Sequence, residues 1–151
     1  MVESYERSAS LPKPGFAAGP CLLKDTMQLC SFSGNMFHMG NSAMLVNEGM
    51  PNFIVEGLRR KHGDLRKKKI GILGMAFKAD IDDIRDSLSY KLGKILRFHG
   101  ADVCYSDEFA EDPTFVEKEV ILKECEIIII GVPHSAYKGL RIRKGVELVD
   151  I

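Results

Sequence analysis

Ile70-Gly71-Ile72-Leu73-Gly74 is the stretch whose reading decides how this chain folds. The run is apolar, too short for a helix and closed by a glycine, which suits a strand covered on both faces. Downstream, similar runs alternate with helical patterning. Leu88, Leu92, Ile95 and Leu96 fall on one helix face, with Asp86 or Ser87 as the N-cap and Gly100 past the end. Val103-Cys104-Tyr105 reads as a second strand. Thr114-Phe115-Val116-Glu117 matches a capping box and predicts a helix continuing through Val120, Ile121 and Leu122. Ile127-Ile128-Ile129-Ile130-Gly131 is a strand buried by composition, and Val146-Glu147-Leu148-Val149 begins a fourth. Strands alternating with helices of this size predict βαβ units and a parallel sheet, so the fold class is α/β. The last predicted strand runs into Ile151, where a doubly wound domain is expected to carry more, so the sheet is read as incomplete.

Upstream the pattern is different. Residues 1–14 are polar, punctuated by Pro12 and Pro14, and read as an extended lead-in. From about Met36 to Arg60, Met36, Met39, Ala43, Val46, Met50 and Phe53 recur at alternating steps of three and four, which makes one apolar stripe. Leu45, Ile54, Val55 and Leu58 widen it. So broad a surface predicts burial on two sides, either in a helix–helix dimer seam or in a plain core. Pro51 is expected to kink this helix, and Gly63 to close it behind Arg59, Arg60, Lys61 and His62. Arg66-Lys67-Lys68-Lys69 reads as a solvated junction, because a buried strand follows at once. The domain division is therefore 1–66 and 67–151.

Composition narrows the function classes. The 151 residues carry 21 Lys+Arg and 21 Asp+Glu, so a zero net charge speaks against general nucleic-acid binding. The four cysteines, at 21, 30, 104 and 125, show no C-x-x-C spacing and no disulfide-scaffold density. No metal site is expected. The first residues lack an apolar signal core and no apolar run reaches membrane-span length, which predicts a reducing, cytoplasmic setting without membrane contact.

Chemistry concentrates in Gly15-Phe16-Ala17-Ala18-Gly19-Pro20-Cys21-Leu22-Leu23-Lys24-Asp25-Thr26. The small residues let backbone approach a ligand closely, and Gly19-Pro20 marks a turn. With a helix starting near Cys21, free N–H groups and the positive end of the dipole favour a thiolate there. Asp25 then lies one turn along on the same face, able to pass a proton. The residues alone leave two readings open: a nucleophile with its carboxylate, or a small core cysteine with a solvated acid beside it. A second loop, Gly74 to Asp86, carries Lys78 and Arg85, which could clamp a diphosphate, among Asp80, Asp82 and Asp83, which could instead neutralise them. It lacks the G-x-G-x-x-G of a dinucleotide site, and Phe77 is bulky. His134, after the most buried strand, reads as a loop anchor.

Taken together, these motifs resemble a known family. Gly19-Pro20-Cys21-Leu22-Leu23-Lys24-Asp25 resembles the Gly-x-Cys-x-Pro-Lys-Asp signature of the UDP-glucose/GDP-mannose dehydrogenase family, with Leu23 in place of its proline and Ala17-Ala18 where a glycine is expected. Gly74-Met75-Ala76-Phe77-Lys78 with Asp82-Asp83-Ile84-Arg85-Asp86-Ser87 resembles its Gly-x-x-Phe-Lys…Asp-x-Arg-[Glu/Asp]-Ser motif. Gly131-Val132-Pro133-His134-Ser135-Ala136-Tyr137 looks like the subset acting on N-acetylated or related UDP-sugars.

The resemblance implies the end of a central helical, dimerising region (1–66) followed by an incomplete Rossmann-like nucleotide-sugar-binding domain (67–151). It implies oxidation of a UDP-sugar 6-hydroxyl to a carboxylate by NAD, in a homodimer formed through the long helix. Cys21 matches the nucleophile that forms a thiohemiacetal and then a thioester, and Asp25 the carboxylate assisting hydrolysis. Phe16, Ala17, Ala18, Gly19, Phe77, Lys78 and Arg85 match substrate-binding positions, Arg85 either on the ligand or holding the loop. No residue here is matched to NAD, which the family binds mainly with a preceding domain, so this polypeptide alone is expected not to oxidise a sugar. The alternative is a nucleotide-sugar-binding or dimerisation module without catalysis. A cysteine hydrolase has little support, since no histidine has a clear claim to pair with Cys21.

Overall fold

In a computed structural model, which describes residues 15–151, two helices precede an α/β sheet. The predicted lead-in over 1–14 lies outside the described residues. Helix α1 (Leu22–Phe32) and helix α2 (His38–His62) are followed by β1 (Lys69–Leu73), α3 (Leu88–Phe98), β2 (Asp102–Ser106), α4 (Lys118–Glu124), β3 (Ile127–Ile130) and β4 (Glu147–Asp150). The four strands are all parallel, in the order β2-β1-β3-β4, with Ile70 opposite Val103 and Ile127, and Ile127 opposite Glu147.

The period of two along β1 and β3 divides the core. Ile70, Ile72, Ile127 and Ile129 face Leu92 and Leu96 of α3 together with Val55 and Leu58 of α2. Leu73, Ile128 and Ile130 face Ile121 and Cys125 on the α4 side. Gly71 points that way too, and a Cβ there would lie 3.1 Å from the Cys125 sulfur. Covering on both faces is why these strands are continuous apolar runs and not alternating ones.

Two expectations need revision. The capping-box match does not open a helix at Thr114, because its residues are engaged elsewhere. The Thr114 N–H and hydroxyl both donate to Asp112 Oδ1, and the Val116 N–H donates to the Tyr105 carbonyl. Helix α4 starts at Lys118, with Glu117 as an N-cap that makes no side-chain bond. The second revision concerns α2. The predicted stripe does not pack in a core: Met39 is 80% exposed, Val46 68% and Phe53 69%. Packing is carried by Gly40, Pro51, Val55 and Leu58. The helix runs unbroken through Pro51 and closes at Gly63, whose φ of 72° is left-handed. Its end is tied to the sheet where Lys61 and His62 both reach the Glu147 carboxylate, at 2.9 and 2.6 Å.

Candidate functional site

The strand order reverses direction at β1, between β2 and β3, and ligands bind outside the carboxyl ends of strands at such a point. Two close approaches build this edge. Gly74, at φ 88°, lies so near the chain after β3 that a Cβ would sit 2.5 Å from the Val132 oxygen. The Ser89 hydroxyl donates to the Gly74 carbonyl at 2.8 Å, and the Ser87 hydroxyl to Ala76 at 3.0 Å, so the start of α3 holds the loop after β1. Beside them opens a cleft of about 1140 Å³ between α2 and the edge of the sheet. Phe16, Met50, Phe53, Phe77, Lys78 and Pro133 are among the residues that line it. Lys78 is the one cation among the lining residues, and among the described residues no carboxylate pairs with it.

The cysteine loop meets this edge directly. Gly19, at φ 124°, sits against the Phe77 ring, where an added Cβ would come within 3.1 Å of two ring carbons. Asn47 of α2 clamps the same loop: its amide nitrogen donates to the Ala17 carbonyl at 2.5 Å and its oxygen accepts from the Ala17 N–H at 3.1 Å. Ala17, Ala18 and Gly19 line a second, smaller depression shared with Asn47 and Lys91.

Cys21 is the N-cap of α1 and exposed, and its carbonyl accepts the Asp25 N–H at 2.8 Å. Asp25 pairs with Lys24 at 3.4 Å in solvent. Neither Cys21 nor Asp25 lines the cleft or the smaller depression. Arg85 lines neither as well, because Asp83 takes its guanidinium fork in a two-point contact, the shorter at 2.6 Å. That contact holds the Asp83 carboxyl down at about 2 and pushes the Arg85 guanidinium up, with Cys21 a smaller contributor to the latter. The structure thus brings Phe16, Gly19, Phe77 and Lys78 together, and has Arg85 bracing its own loop near Cys21.

Asp107 and Asn47 were not singled out from the sequence. Asp107 directly follows β2, and its buried carboxylate accepts the Met75 and Ala76 N–H groups at 2.6 and 3.0 Å. The usable signals were an acid two residues past a predicted strand and an asparagine beside an apolar helical stripe. His134 is the loop anchor expected: its Nδ1 accepts the Asp80 N–H at 2.8 Å.

The same edge does not fit a dinucleotide. After β1 the chain enters a long loop and not a helix, Phe77 fills the space against Gly19, and the Ser87 hydroxyl caps α3 itself. Among the described residues we find no group of His, Cys, Asp or Glu that could hold a metal ion, and no helix is long and apolar enough to cross a membrane.

A family model described as the UDP-glucose/GDP-mannose dehydrogenase family, UDP binding domain, matches residues 71–150. A UDP-N-acetyl-D-mannosamine dehydrogenase from Campylobacter jejuni is 37% identical over 76 residues, covering 50% of this chain and 19% of that protein. The solved UDP-glucose dehydrogenase from Pyrobaculum islandicum aligns at a TM-score of 0.78 and 32% identity, covering 88% of this chain and 34% of that one. A UDP-D-ManNAc dehydrogenase from Pyrococcus horikoshii aligns at 0.82 and 26% identity, covering 99% and 38%. The chain spans between 19% and 36% of the length of the curated relatives it matches first.

Proposed function

Because the chain belongs to the UDP-glucose/GDP-mannose dehydrogenase family, we propose that it supplies the nucleotide-sugar site and the reactive cysteine of a UDP-sugar 6-dehydrogenase. Residues 67–151 bind the UDP-sugar, and residues 1–66 contribute the cysteine loop and the dimerising helix. The observation that carries this reading is the packing of Gly19 on Phe77, which joins the cysteine loop to the one cleft wall that presents a free cation, Lys78. Phe16 and Phe77 offer apolar ring surface to the ligand, and Lys78 a point charge to its diphosphate. Cys21 Sγ adds to the sugar aldehyde carbon and holds it as a thiohemiacetal. Once that carbon is oxidised to a thioester, Asp25 takes a proton from the hydrolysing water. NAD is the oxidant the family resemblance implies. It is bound mainly outside the described residues, so this chain by itself turns over no sugar. The open stripe of α2, with Met39 and Val46, supports the homodimer seam.

The test is a thermal-shift panel of UDP-, GDP- and N-acetylated UDP-sugars on the wild type and on Lys78→Ala. A native-state ligand at a hundredfold excess over Kd adds about 2.7 kcal/mol. Lys78→Ala is expected to weaken UDP binding about tenfold to a hundredfold, the worth of a charge-assisted hydrogen bond. Binding that is unchanged in Lys78→Ala rules out this cleft as the diphosphate site.

The position of Cys21 outside the cleft favours considering a second reading, a binding module without catalysis. Iodoacetamide separates the two. The catalytic reading expects a saturating UDP-sugar to slow the alkylation of Cys21 relative to the unliganded chain, because the cysteine loop packs on Phe77 of the cleft. Equal rates favour the module.

A further inference from the structure

We infer that the buried Asp107–His134 pair is the positioning device of the Phe77–Lys78 segment, fixing the backbone on both sides of Lys78 and so setting the affinity of the cleft for a nucleoside diphosphate. The inference rests on the nucleotide-sugar reading above and names two residues that touch no part of the cleft.

Both side chains are fully shielded from solvent. Asp107 gathers three loops at the carboxyl edge of the sheet. Its Oδ2 accepts the N–H groups of Met75 and Ala76, and its Oδ1 those of Phe109 and Ala110 at 2.8 and 2.9 Å. His134 completes the set. Because Nδ1 accepts the Asp80 N–H at 2.8 Å, the ring proton belongs on Nε2, which donates to Asp107 Oδ2 at 3.1 Å. Phe109 and Tyr137 hold the imidazole plane, with ring centroids 4.9 and 5.4 Å away.

One carboxylate therefore holds the chain at Met75 and Ala76, and its histidine partner holds it again at Asp80. Only Phe77, Lys78 and Ala79 lie between, and all three line the cleft. The second anchor is under strain. Asp80 sits at φ 59°, left-handed for a residue with a Cβ, and is kept there by His134 and by the Ser135 N–H, which donates to its Oδ1 at 2.7 Å. Such a conformation persists only where its surroundings over-determine it. An apolar pair of the same volume could not replace them, because it would leave the N–H groups of Met75, Ala76, Phe109, Ala110 and Asp80 without their acceptors.

Two isosteres divide the histidine's roles. His134→Asn keeps an acceptor near the Nδ1 position for the Asp80 N–H. His134→Gln keeps a donor near the Nε2 position for Asp107 and loses the Asp80 anchor. We expect His134→Gln to bind UDP about threefold to tenfold more weakly than His134→Asn, the range for one lost hydrogen bond. His134→Asn, which loses the bond to the buried carboxylate, should have the lower unliganded midpoint, so weaker binding in His134→Gln cannot follow stability. Amide exchange over residues 77–83, measured without ligand, should be faster in His134→Gln only. Equal UDP affinities in the two variants, or an affinity loss that merely follows the unliganded midpoint, overturn the inference. Should both histidine variants fail to fold, amide exchange of the wild type replaces them. Protection of the Asp80 N–H comparable to that of the Met75 and Ala76 N–H groups upholds the inference, and exchange of the Asp80 N–H at the rate of a free amide overturns it. A wild-type chain that binds no UDP sinks the nucleotide reading itself, and the exchange measurement then decides the loop-fixing role alone.

Discussion

Gly74→Ala is expected to lower the unfolding free energy by about 3 kcal/mol or more, seen as a drop in urea midpoint at unchanged m-value. Two costs coincide there. The left-handed φ of 88° strains any residue with a Cβ by about 1–2 kcal/mol. The added Cβ would also sit 2.5 and 2.8 Å from the Val132 oxygen and nitrogen, which are backbone atoms. Neither chain can yield easily, because the Gly74 N–H donates to the Ser106 carbonyl and its own carbonyl accepts from Ser89. Gly139→Ala is the control. Its φ of 74° carries the same strain, but nothing lies within 4 Å of its added Cβ. It should cost only the strain, about 1–2 kcal/mol. Equal losses at the two glycines would show that the close approach of the loops after β1 and β3 contributes nothing.

Asp107→Asn is expected to cost about 3–5 kcal/mol at pH 7, the usual penalty for breaking a buried, fully bonded charge. The amide keeps one oxygen, so two of the four backbone N–H groups lose their acceptor and face an NH₂ instead. The loss depends on pH. Burial pushes the Asp107 carboxyl up, but the His134 ring and the N–H groups of Ala110, Phe109 and Met75 outweigh it and hold the carboxyl well below the usual carboxylate range. A group whose folded pKa is depressed stabilises fully above its unfolded pKa, about 3.9 for aspartate, and loses that contribution as pH falls further. Wild type and Asp107→Asn should therefore differ by a steady amount down to about pH 4, and the gap should begin to narrow only below it. Unfolding midpoints measured across pH 7 to 3 check this, and a constant gap would remove Asp107 from the acid transition.

The sheet was legible because its residues leave little choice. Ile127 to Ile130 can only be buried on both faces, and the runs around Ile70 and Val103 fit the same layer. The α3 cap, narrowed to Asp86 or Ser87 and found at Ser87, and Gly63 as the α2 terminator were legible for a similar reason, since each acts on its own helix through local geometry. The Thr114 capping box failed because a local pattern cannot know that the Tyr105 carbonyl competes for the same backbone.

The candidate site divides along the same line. Sequence alone determined that Cys21 begins a helix with Asp25 one turn on, and that a lysine and an arginine share the loop after β1. Motif order gave the family. Tertiary structure decided which of those groups meet. It set Gly19 on Phe77, left Lys78 free in the cleft, spent Arg85 on Asp83, and turned the apolar stripe of α2 outward. It also made Asp107 and His134, 27 residues apart, into one buried pair. Hydrophobic period and capping act over a few residues and are written in the chain. Which carboxylate reaches which loop depends on strand order, and the order β2-β1-β3-β4 exists only once the sheet has assembled.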